Sequence, residues 1–145
     1  MSTTREAAAI AGVNYETLRN WLKRGLLDHA QPELRGWRRY TETDYCTLIL
    51  MTEGLAAGIS VETMIDVCRD REIQRVFERL SDGERSASIN RPHHVLIWPT
   101  LPEALFMLAP LQSVPHELAA NPAPVTIFDL EAIFAETEGR EPPRA

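Results

Sequence analysis

The sequence predicts a mainly α fold with a small β component: an N-terminal winged helix-turn-helix, a linking helix and a small α/β tail. Three observations carry this expectation. Leu18, Trp21 and Leu22 recur at three- and four-residue spacings, as do the apolar positions of residues 61–80. Gly12 stands where two short helices would have to turn, and Gly36 suits the turn of a hairpin. Beyond Pro92 the periodicity gives way to short apolar runs interrupted by proline.

Size and composition bound the possibilities. The 145 residues, 44% hydrophobic and 25% charged, can bury one modest core. There is no run of eighteen uninterrupted apolar residues, and the opening Met1-Ser2-Thr3-Thr4-Arg5-Glu6 lacks the basic-then-apolar order of a secretory signal. A soluble cytoplasmic protein with no membrane contact is expected. Cys46 and Cys68 form no Cys-x-x-Cys pair and read as buried free thiols. His93 and His94, adjacent but far from either cysteine in sequence, read as structural or exposed, so neither metal nor cofactor is expected. Glu136 and Glu138 have no neighbouring nucleophile or phosphate-binding loop, which argues against an enzyme.

The net charge of −6 would by itself disfavour nucleic acid, but its distribution is uneven. Residues 1–40 hold seven basic against four acidic side chains, and residues 92–145 two basic against seven acidic ones. The chain has a basic head and an acidic tail.

Within the head, Ala8, Gly12, Val13 and Leu18 supply what a tight helix-turn-helix needs: a small residue at the crossing, a glycine for positive φ, and branched apolar residues facing inward. Asn14 is placed to cap the second helix. With Leu18, Trp21 and Leu22 inward, Tyr15, Glu16, Thr17, Arg19, Asn20 and Lys23 are left for the outer surface, with side chains able to bond base edges or phosphates in a major groove. After Gly25-Leu26-Leu27, the segment Arg35-Gly36-Trp37-Arg38-Arg39-Tyr40 places aromatic residues around arginines in what reads as a wing.

These residues resemble the DNA-binding domain of the MerR family of transcriptional regulators: Thr17-Leu18-Arg19, Gly25-Leu26-Leu27, Gly36-Trp37-Arg38-Arg39-Tyr40, and Thr41-Glu42-Thr43-Asp44 opening a helix through Leu48, Ile49 and Met51. Gly54-Leu55-Ala56-Ala57-Gly58-Ile59-Ser60-Val61 then leads into the next helix. The resemblance implies that Arg19 and Arg38 contact the DNA backbone, that Tyr40 braces the wing and touches phosphate, and that Tyr15, Glu16 and Asn20 face bases or phosphates. Arg35 and Arg39 join them as wing cations, and Lys23 as a recognition-helix cation. Asn20-Trp21 replaces the aromatic pair usual after Leu-Arg and is similar also to phage excisionase and small terminase-subunit winged helices.

The remaining expectations concern organisation. Residues 1–80 form the DNA-binding domain with its linking helix, read as one helix over 61–80 capped by Ser60. Residues 81–91 form a mobile loop, 92–138 an α/β tail, and 139–145 a disordered end. In the tail, 94–98 is expected as a strand, 102–111 as a helix, 114–124 as loop, 125–128 as a second strand, and 130–137 as a helix capped by Asp129. The long antiparallel coiled-coil helix of family activators has no counterpart in this pattern. The expected function is that of a sequence-specific transcriptional regulator of bacterial or phage type that binds double-stranded DNA as a homodimer, with the tail serving oligomerisation or a protein partner. The alternatives are a phage architectural or packaging DNA-binding protein and a winged helix repurposed for protein interaction. Loss of the tail is expected to leave DNA affinity intact or improved, because its acidic charge would repel phosphate.

Overall fold

The computed structural model describes residues 4–27, 40–85, 91–101 and 103–139. Within them the chain runs α1 (Thr4–Ala11), α2 (Tyr15–Lys23), α3 (Glu42–Ala56), α4 (Val61–Arg69), α5 (Arg71–Ser81), β1 (Pro92–Trp98), β2 (Leu105–Pro110), α6 (Val114–Ala120), β3 (Thr126–Asp129) and α7 (Leu130–Glu138). It is a mainly α protein with one small antiparallel sheet in the order β2-β1-β3. No helix among the described residues is long and apolar enough to cross a membrane.

The helix ends follow local chemistry. Thr41 and Asp44 form a reciprocal capping box at α3, the Thr41 hydroxyl accepting from the Asp44 N–H and the Asp44 carboxylate from the Thr41 N–H. Ser60 and Asp129 cap α4 and α7 as the sequence indicates. Buried Gly54 on α3 lets α4 approach so closely that an added Cβ would run into the side chain of Met64.

Three expectations require correction. The linking helix over 61–80 is two helices, broken at Asp70, whose extended backbone (φ −63°, ψ 128°) ends α4 while its carboxylate caps α5 through the Glu72 and Ile73 N–H groups. Four consecutive charged residues between apolar Cys68 and Ile73 mark this break in the sequence. Within the segment expected as a helix over 102–111, of which residue 102 lies outside the described residues, Leu105–Pro110 form β2, because pairing with β1 overrides the helical preference of its Ala, Leu and Met residues. Within the expected loop 114–124, residues Val114–Ala120 form α6, entered with proline in its first turn, where a missing N–H is tolerated. Of the expected mobile stretch 81–91, residues 86–90 lie outside the described residues. Glu84, near the start of that stretch, accepts from His93 Nε2 at 3.0 Å and meets Arg79 and Arg91 at 3.4 and 3.5 Å.

One hydrophobic core runs from the first helices into the tail. It includes Ala7, Ala11, Leu18 and Trp21, continues through α3, α4 and α5, and takes in Val95 and Ile97 of β1 with Leu130, Ile133 and Phe134 of α7. Arg85 adds a cross-brace: its guanidinium lies 5.0 Å from the Phe134 ring centroid and 3.8 Å from the Glu138 carboxylate. The opposite face of β1 buries Leu96 and Trp98 in a smaller cluster with Ala109 and Val114. Removing residues 92–145 would therefore strip β1 and α7 from the helical core.

Candidate nucleic-acid interface

α1 and α2 form the helix-turn-helix. Gly12 leaves α1 with φ +76°, and the Val13 N–H donates to the Ala8 carbonyl at 3.0 Å, closing the turn. The Asn14 side chain accepts from the Thr17 N–H at 2.8 Å and starts α2. Buried Ala7, Ala8 and Ala11 let the helices approach, and Leu18 and Trp21 anchor α2 beneath its outer face. Gly25, at φ +89°, ends α2 and turns Leu26 and Leu27 into the core, where both are fully buried.

This anchoring decides which side chains remain outside. Glu16, Arg19, Asn20 and Lys23 are exposed, and Tyr15 and Thr17 are half-buried. Arg19 and Glu16 form an ion pair at 3.5 Å. A groove of about 530 Å³ runs beside the helix, lined by Thr17, Asn20, Trp21, Lys23 and Arg24 and by Val61 at the start of α4. Its rim offers two cations, an amide and a hydroxyl, which can meet phosphate oxygens and base edges.

The six recognition-helix residues expected from the sequence thus lie together on α2. Arg35, Arg38 and Arg39, expected in a wing, lie outside the described residues. Tyr40 is buried, its hydroxyl 3.0 Å from the Thr4 hydroxyl and its ring stacked 6.1 Å from that of Tyr45, so it packs against α1 and α3. Two cations not singled out from the sequence join the site. Arg24 caps the C-terminus of α2 and lines the groove, and Arg5 reaches across from α1 to place its guanidinium 4.3 Å from the Tyr15 ring centroid. Arg24 could have been found by extending the outer face by one residue. Arg5 could not, because its position depends on how α1 crosses α2.

The other chemically capable groups are placed differently. Burial pushes the Cys46 thiol up to about 12, despite a hydrogen bond with Thr137, and raises Cys68 further, so both are held as neutral thiols. Among the described residues, no group of three or more His, Cys, Asp or Glu side chains is arranged to hold a metal ion.

A tight two-helix unit with a polar, cation-bearing outer helix defines a DNA-binding helix-turn-helix protein of the regulatory kind. Residues 2–71 match the family described as MerR HTH family regulatory protein. The N-terminal half of the chain is a MerR-type helix-turn-helix domain. No curated protein matches the chain.

Proposed function

We propose that the protein is a sequence-specific transcriptional regulator that binds double-stranded DNA as a homodimer, with α2 in the major groove and the wing on flanking DNA. The observation that carries this reading is the division of α2 into two faces. Leu18 and Trp21 lock one into the core, while Arg19, Asn20 and Lys23 stand exposed on the other. Pairing is part of the proposal because one such module contacts little DNA and operators commonly present two half-sites. The partner surface belongs to residues 92–138, where Leu105, Leu111 and Ile127 are the exposed large hydrophobic residues among those described. Phage-type recombination or packaging is the alternative role for the same DNA-binding head. It is supported by the passage from α5, an eleven-residue helix, to a sheet where family activators carry a long coiled-coil helix.

Selection of ligands from a random duplex library by the full chain tests the reading. Enrichment of a motif arranged as two repeats, lost in Arg19→Ala, is the expected result. Weak binding to every sequence, on the order of 10⁻⁴ M at physiological salt, would reject a specific regulator. A ring-forming oligomer would favour packaging, and marked bending of the bound duplex an architectural role.

A further inference from the structure

Tyr15 opens α2 with its ring beneath guanidinium groups from two different helices. Arg5 of α1 lies 4.3 Å from the ring centroid and Arg19 of α2 lies 5.6 Å from it. Both arginines are exposed. Like charges gathered at one ring repel each other, and the negative face of the aromatic ring offsets part of that repulsion. A guanidinium over a ring can keep its edge N–H donors for a phosphate, which a lysine ammonium in the same place could not present as a planar fork. In helix-turn-helix complexes the first helix crosses the DNA backbone, which puts a cation on α1 on the phosphate side of the recognition helix.

We infer that Arg5 is a backbone-phosphate contact supplied by the first helix, and that the Tyr15 ring is the positioning residue that aligns it with Arg19 as a two-cation clamp at the N-terminal end of α2. This inference rests on the DNA-binding reading above. It gives Tyr15 a role other than base contact and extends the interface beyond the recognition helix. A phosphate clamp carries no sequence information, so its effect is the same on every duplex.

The test measures the affinity of the full chain for a random-sequence duplex across a salt series, with circular dichroism confirming that each variant is folded. Arg5→Ala is expected to lower the slope of log affinity against log salt by about one and to weaken binding about fivefold at 0.15 M salt. Tyr15→Leu, which keeps both charges, is expected to weaken binding about two- to fivefold with the slope unchanged. Tyr15→Phe, which keeps the ring, should match the parent, and Arg5→Lys should retain the slope while losing affinity. An unchanged slope in Arg5→Ala, with the parent binding normally, would overturn this inference alone. A loss in Tyr15→Phe equal to that in Tyr15→Leu would overturn the positioning role. Failure of the parent chain to bind any duplex would overturn the DNA-binding reading and this inference with it.

Discussion

The recognition helix α2 and the central strand β1 handle their two faces in opposite ways. α2 buries Leu18 and Trp21 and leaves the other side to solvent, so its outer residues can change without disturbing the core beneath them. β1 is buried on both sides: Val95 and Ile97 enter the main helical core, while Leu96 and Trp98 fill the smaller cluster under α6. Its neighbours obey the same register, with Phe106, Leu108 and Phe128 opposite Val95 and Ile97, and Met107 and Ile127 opposite Leu96. A helix with one wet face is suited to reading a partner, and a strand with none is a structural keel. Damage at the two places should therefore differ in kind: substitutions on the outside of α2 alter binding, and substitutions in β1 alter stability.

The sharpest challenge to that contrast is Trp98→Ala. Trp98 is fully buried, and its indole N–H donates to the Asn121 carbonyl at 2.9 Å. Truncation is expected to cost about 3–5 kcal/mol in urea unfolding. Because β1 and α7 share the core of the head, the loss should appear in a single transition followed by both circular dichroism and fluorescence. Two separated transitions would show that the tail is a dispensable attachment and break the comparison.

Gly54→Ala ranks next. The added methyl must displace fully buried Met64 at the closest approach of α3 and α4, at a cost of about 1–3 kcal/mol measured the same way. An unchanged midpoint would mean that Met64 relocates without resistance. Asn14→Ala removes the cap of α2 and should destabilise by about 1 kcal/mol while leaving the groove-lining side chains in place. A large loss of DNA affinity in a variant that stays folded would show that the cap itself contacts DNA.

The smallest effect concerns pH. The hydrogen bond from His93, helped by Arg79 and Arg91 and opposed by partial burial, holds the Glu84 carboxyl below its ordinary value of 4.5. A depressed carboxyl stabilises the folded chain above the unfolded value, and that contribution is lost as pH falls from the ordinary carboxylate range through the lowered folded value. Glu84→Gln should therefore reduce stability at neutral pH and flatten the acid limb of a stability-versus-pH curve. An acid limb identical to the parent's would remove Glu84 from the account.

How much was legible follows from what each signal depends on. The helix-turn-helix could be read because its determinants are local: Gly12 and Asn14 act within a few residues, and the spacing of Leu18, Trp21 and Leu22 defines a face without reference to the rest of the fold. Half of that signal is absent in β1, where apolar residues face both ways, and a continuous run shows burial without showing the partner. β2 carries the same ambiguity. Leu105, Phe106, Met107 and Leu108 are acceptable in a helix or a strand, and the unsatisfied hydrogen-bonding edge of β1 selects the strand.

By itself, then, the sequence determined the helix-turn-helix, its caps, the outer residues of α2 and the mainly α character, because short-range sterics and hydrogen bonding act along the chain. Tertiary structure alone decided that β2 is a strand, that β1 and α7 complete the core of the head, that Tyr40 is buried with its hydroxyl against Thr4, and that Arg5 lies over Tyr15. Each of these joins residues distant in the chain or set by the crossing of two helices, where packing geometry and not local propensity chooses the neighbour.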